Sequence, residues 1–204
     1  MATQSVDPAV SRAKFERQIA NFRDLEADYA RRGWFLTRAD FPHVSVLLAA
    51  PQLQPTPLVT GVRFDYTDYD LHPPSVKLVN PFSGEAWLEE QLPTRLMRRT
   101  EIQGQLPPGV NLPPGVVPPM MVQDQPLIQV YPGEDPFLCI PGVREYHDHP
   151  AHSGDAWELH RNAGAGTLVR LLEVLDTYGL RPLSGFNVQL ETRITGLAQA
   201  EVPN

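Results

Sequence analysis

The sequence predicts an α+β domain built from an N-terminal helix, a small antiparallel meander sheet and a second helix late in the chain. Three observations predict it. Apolar residues recur at helical spacing behind Asp7-Pro8. Short β-favouring runs separated by turn residues follow as far as Val79. Leu168, Leu171, Leu172 and Leu175 then fall on one helical face. At 204 residues the chain is long enough for one domain with a substantial core. Residues 1–204 are therefore taken as a single domain, with a proline-rich insert at about 81–126 and a loose C-terminal tail.

Each element has its own local cause. Asp7 is an N-cap residue and Pro8 suits the first helical position. From there to about Arg32, Val10, Phe15, Ile19, Phe22, Leu25 and Tyr29 recur with charges between them, and Gly33 ends the helix. Trp34 to Pro51 reads as strand, carried by Phe35, Val44, Val46 and Leu48. Leu58 to Tyr66 reads as a second strand, with Val59, Val62, Phe64 and Tyr66 in partial alternation. Pro73-Pro74 keeps the chain extended before a third, Ser75 to Val79. Short turns between these runs imply an antiparallel meander with the first helix across one face. A short helix is expected within Glu85 to Met97. Gln105 to Pro126 repeats Leu-Pro-Pro-Gly-Val at Leu106 and Leu112, which suggests a polyproline II excursion. Leu127 to Tyr131 is a short strand leading to Cys139. The late helix opens at Gly164 and stops at Gly179, a last strand is expected over Leu180 to Ile194, and Thr195 to Asn204 forms the tail.

Charge and composition narrow the function. Net charge is −7 with no basic run, which argues against general nucleic-acid or anionic-lipid affinity. The single cysteine cannot form an internal disulfide. No apolar run approaches the roughly 20 residues that span a bilayer, and Met-Ala-Thr-Gln-Ser-Val-Asp lacks a secretory pattern. The expectation is a cytoplasmic protein with neither nucleic acid nor membrane as partner.

Reactive side chains gather in one stretch. Phe137 to Arg161 holds Cys139 and four of the six histidines, His147, His149, His152 and His160. Cys139 can serve as a nucleophile. An ordinary thiol, with a pKa of ~8.5, is only a few per cent ionised at neutral pH, so it needs a neighbouring base. His147 and His149 are the candidates for that role. Alternatively, Cys139, Glu145, His147 and His149, with His152 as a substitute, offer thiolate, carboxylate and imidazole to zinc, although their spacing matches no closed zinc finger. The bland reading makes Cys139 a small buried residue among Phe137, Leu138 and Ile140. His43 and His72 read as solvent-facing or core histidines, and His160 stands between the two readings. Trp157 reads as core packing, Arg144 and Asp148 as solvated.

The order of parts resembles the ubiquitin-conjugating enzyme fold. Phe64-Asp-Tyr-Thr-Asp-Tyr-Asp-Leu-His-Pro-Pro-Ser-Val-Lys-Leu is similar to that family's aromatic and Pro-Pro segment. Phe137-Leu-Cys-Ile resembles its active-site cysteine, and Trp157 followed by Gly166-Thr-Leu-Val-Arg-Leu-Leu-Glu-Val-Leu resembles its tryptophan and crossover helix. Glu145, His147 and His149 are similar to a bacterial branch described by Cys-Glu-His-His residues, also predicted to bind metal. The family's His-Pro-Asn tripeptide is absent; Tyr131-Pro-Gly-Glu-Asp-Pro-Phe-Leu stands in its place. The resemblance implies an acyl (aminoacyl) transferase. Cys139 would carry a ubiquitin-like protein as a thioester to a target amine, in a bacterial and in some cases antiphage conjugation pathway. It also implies an activating enzyme docked on the first helix, where Arg12, Lys14 and Arg17 are basic. No cofactor is needed on this reading. The rivals are a zinc-binding module without acyl transfer and a non-catalytic scaffold.

Overall fold

A computed structural model of the chain describes residues 6–103 and 120–187. Helix α1 (Pro8–Arg23) starts as its sequence dictates, with the Asp7 carboxylate accepting the Ala9 N–H at 2.9 Å. It buries Phe15, Ile19 and Phe22. The helix expected to run to Arg32 is broken at Leu25 and resumes as α2 (Glu26–Arg31). The break has a packing reason. In a straight helix Phe22 and Tyr29 would lie roughly 10 Å apart along the axis, whereas their ring centroids are 4.8 Å apart and Tyr29 stacks on Trp34. Gly33 then reverses the chain at φ +86°, so close to the neighbouring strand that a Cβ would lie 2.4 Å from the Ala49 carbonyl oxygen.

Four strands follow: β1 (Trp34–Asp40), β2 (His43–Ala49), β3 (Leu58–Asp65) and β4 (Ser75–Val79). They form an antiparallel sheet in the order β1-β2-β3-β4. The single strand expected from Trp34 to Pro51 is thus a hairpin, turned at Phe41-Pro42, with Asp40 paired to His43. The inward residues Val44, Val46, Leu48, Val62, Phe64 and Val76 alternate as a half-buried sheet requires. They share one core with Phe15, Phe22 and Leu168 to Leu175. Burying each such side chain contributes roughly 1.5–3 kcal/mol.

Beyond β4 the chain departs further from expectation. The helix expected within Glu85 to Met97 is only a single 3₁₀ turn, Glu89–Gln91, because Pro93 denies it a second turn. Strand β5 (Met97–Gln103) pairs with β6 (Met120–Pro126) as an antiparallel hairpin. Residues 120–126 are therefore strand rather than polyproline II, while the two Leu-Pro-Pro-Gly-Val copies lie outside the described residues. Short strands β7 (Ile128–Gln129) and β8 (Phe137–Leu138) pair beside this hairpin. A short helix α3 (Arg144–Asp148), three 3₁₀ turns and helix α4 (Leu168–Leu175) complete the domain. The leucine face of α4 is almost wholly buried. A π turn, Asp176–Leu180, follows it. Leu180 belongs to that turn, residues 181–187 are irregular, and the rest of the expected last strand and the tail lie outside the described residues. No helix among the described residues is long and apolar enough to cross a membrane.

Candidate functional site

Cys139 is placed by a short backbone relay. Its N–H donates to the Leu127 carbonyl at 2.7 Å, and the Leu127 N–H donates to the Leu96 carbonyl at 2.9 Å. Leu138 and Ile140 point into the core, so extended alternation sends the cysteine side chain the other way. The thiol is free and half-buried rather than sealed in the interior. Immediately after it, Gly142 adopts φ +98°, and a Cβ there would meet the Ala165 carbonyl oxygen at 2.4 Å. That tight reversal launches α3 back across the sheet edge.

Helix α3 is clamped to the sheet by its first two residues. Arg144, expected to be solvated, instead threads its guanidinium among backbone carbonyls, donating to Thr67 at 2.6 Å and Pro73 at 3.2 Å. Its own N–H donates to the Pro74 carbonyl at 2.9 Å. The Glu145 carboxylate accepts the Ser75 hydroxyl and, at 3.3 Å, the Val76 N–H. A five-residue helix has little intrinsic stability, and these contacts are what hold it. Asp148 is exposed.

The histidine that meets the sulfur is His152, whose Nε2 lies 3.2 Å from Cys139 Sγ. His147 and His149, the two singled out from sequence, are engaged elsewhere. His147 donates from Nδ1 to the Asp155 carbonyl at 2.8 Å and accepts the Gly142 N–H at Nε2 at 3.2 Å. That pair of bonds fixes one neutral tautomer and uses both nitrogens. His149 stacks on Tyr131, with ring centroids 4.2 Å apart, and accepts the Ala151 N–H. Tyr146 and Asp155, which sequence reasoning missed, also belong to the site. The Tyr146 ring stacks on His152 at 4.0 Å, and its hydroxyl donates to Asp155 at 2.6 Å. His160 Nε2 bonds the other Asp155 oxygen at 2.5 Å. The run Tyr146-His-Asp-His-Pro and the pair His152, Asp155 were the available signal.

The electrostatics suit a neutral thiol–imidazole pair. Burial pushes the Cys139 thiol up, only partly opposed by the positive charge of Arg98. Burial, followed by the nearby His149, pulls His152 down. Burial and the hydrogen bond to Asp155 push the Tyr146 phenol up to about 12. The Tyr146 hydroxyl and His160 together hold the Asp155 carboxyl below its ordinary range. Near neutral pH the sulfur therefore keeps its proton while His152 Nε2 is free to accept one.

Cys139, Glu145, His147 and His149 are not drawn together. The Glu145 carboxylate is taken up by Ser75 and Val76 of β4, and both nitrogens of His147 are committed to backbone. Among the described residues no three His, Cys, Asp or Glu side chains converge as a metal ion would require. Trp157 is buried, with its indole N–H donating to the Asp70 carbonyl at 3.1 Å. His72 is exposed and His43 lies half-buried on β2. On α1, Lys14 pairs with Asp70 at 2.8 Å, Arg12 lies over the Phe41 ring, and Arg17 is exposed.

The model of a family described as the Y4jH family matches residues 6–183 of the chain. The uncharacterized protein y4jH of Sinorhizobium fredii (strain NBRC 101917 / NGR234) is 38% identical over 195 residues, covering 95% of this chain and 94% of that protein.

Proposed function

This chain belongs to the Y4jH family, and we propose that it is an acyl carrier in which Cys139 takes the C-terminal acyl group of a ubiquitin-like protein as a thioester and passes it to an amine. The single observation that carries this reading is the half-buried Cys139 sulfur, presented at the end of β8 with His152 Nε2 at 3.2 Å. The order of elements supports it as well. An N-terminal helix, a four-stranded meander, a Pro-Pro entry to β4, a lone thiol and a buried leucine-rich helix follow one another as in ubiquitin-conjugating enzymes.

In the first step the sulfur attacks the carbonyl carbon of the incoming thioester. The new C–S bond to Cys139 forms, the bond to the donor sulfur breaks, and the Cys139 proton passes through His152 to the departing thiolate. One thioester replaces another, so the exchange is nearly balanced and position matters more than acidity. In the second step an amine attacks the Cys139 thioester. A C–N bond forms, the C–S bond breaks, and the amine's surplus proton ends on Cys139, again through His152. Tyr146 holds the His152 ring from its face, and Asp155 anchors Tyr146. His147 and His149 act as positioning residues: one ties Gly142 to Asp155, and the other caps the turn that delivers His152.

The test is incubation with a ubiquitin-like protein, its activating enzyme and ATP, compared on reducing and non-reducing gels. A reducible adduct that vanishes in Cys139→Ala is expected. Absence of the adduct, or its persistence in Cys139→Ala, overturns the proposal. A synthetic peptide thioester, read by intact mass, makes the same test without the activating enzyme.

A further inference from the structure

A cavity of about 210 Å3 lies next to the cysteine strand, between the root of β5 and α4. Its apolar walls include Leu127, Ile140 and Val174, and its polar groups are Arg98, Arg170 and Tyr178. Two of these walls are tied directly to the thiol: Ile140 is its chain neighbour, and Leu127 accepts its N–H. Among the described residues no carboxylate lines the cavity. Arg98 bonds only the neutral Gln125 amide oxygen, at 2.9 Å, and its Nε–H is shut off from solvent with no acceptor among the described residues. Among the described residues Arg170 has only a loose, exposed pairing with Glu173 at 3.9 Å.

These facts describe a site suited to an anion. A buried N–H without an acceptor is destabilising, and the exposed Arg170 guanidinium adds a second positive charge beside the same cavity. A carboxylate satisfies both, because a guanidinium presents paired donors that match its two oxygens. The apolar walls suit the methylene stem that carries such a carboxylate. We propose that this cavity takes the side chain of a glutamate from an extended polypeptide lying beside Cys139. Its part in transfer rests on the acyl-carrier reading; the binding itself does not.

The experiment uses the full chain labelled with 15N and follows the Arg98 Nε–H and the Ile140 backbone N–H. The probes are N-acetyl-Gly-Glu-Gly-amide, the matching Gln peptide and inorganic phosphate. A saturable shift with the Glu peptide in the millimolar range is expected, at least about tenfold weaker with the Gln peptide. Arg98→Gln and Arg170→Gln, each read at Ile140, should each weaken binding about fivefold or more. Equal binding of the two peptides, no shift by about 20 mM, or unchanged affinity in both variants overturns the proposal. Phosphate that binds as tightly as the Glu peptide also overturns it, since the methylene stem would then contribute nothing. Peptide binding that persists while Cys139 takes no acyl group removes the acyl-carrier reading and leaves the cavity standing; acylation without peptide binding does the reverse.

Discussion

Replacing His152 with alanine should slow acylation of Cys139 at neutral pH and hardly at all in alkali. The magnitude follows from the thiol. Even an unperturbed thiol, with a pKa of ~8.5, is only about 3% thiolate at pH 7, and burial pushes Cys139 further toward the protonated form. Direct attack by free thiolate is then a minor route, and the route assisted by Nε2 at 3.2 Å carries most of the flux. A positioned base contributes about 10²–10⁴-fold, so His152→Ala should lose on the order of a hundredfold at pH 7. Above the thiol's own titration the sulfur is already ionised and needs no base. The gap between wild type and variant should therefore shrink to about twofold once the pH is above that titration. His152→Gln can keep a hydrogen bond to sulfur without basicity, and should follow the alanine variant. The assay is the rate of Cys139 acylation by a peptide thioester, followed by intact mass across the pH range. A loss of the same size at every pH would mean that His152 only shapes the loop. No loss at pH 7 would remove it from the chemistry.

Other perturbations test the frame around the site. Arg144→Met strips donors from the Thr67 and Pro73 carbonyls and should cost about 2–4 kcal/mol, which calorimetry would read as a Tm lowered by about 4–16 °C. Gly142→Ala forces a Cβ against the Ala165 carbonyl at φ +98° and should cost more than about 2 kcal/mol. Gly154→Ala, whose Cβ would meet nothing within 4 Å, should stay within about 0.5 kcal/mol under the same urea titration. Because Asp155 is held below its ordinary range in the fold, its stabilising contribution is complete above about pH 4 and is lost as pH falls through its depressed folded value. The stability difference between wild type and Asp155→Asn should therefore narrow on acidification below about pH 4, and ultraviolet titration should show the Tyr146 phenol falling from about 12 in the variant.

Much of the frame was legible because it rests on local rules. Asp7-Pro8 starts α1, Gly33 turns the chain, and Leu168, Leu171, Leu172 and Leu175 lie on the buried face of α4. What escaped depends on contacts between distant segments. The β1–β2 turn at Phe41-Pro42 carries no glycine, so two strands read as one. The break at Leu25 is set by the stacking of Tyr29 on Trp34, which helical periodicity does not encode. Cys139 could be named because it is the sole thiol, but its partner could not. His147, His149 and His152 are alike in sequence terms, and only the turn begun by Pro150 decides which ring meets the sulfur. Arg144 looked solvated because its acceptors, the carbonyls of Thr67 and Pro73, are far away along the chain.

The bond from Leu127 N–H to the Leu96 carbonyl means that β5 leaves the body and β6 returns to it through one narrow gate. The outer rungs of that hairpin can change without the gate widening, and the sulfur, anchored one bond further along, would not be displaced. This makes the rungs of the hairpin beyond Arg98 and Gln125 exchangeable while the thiol stays where it is.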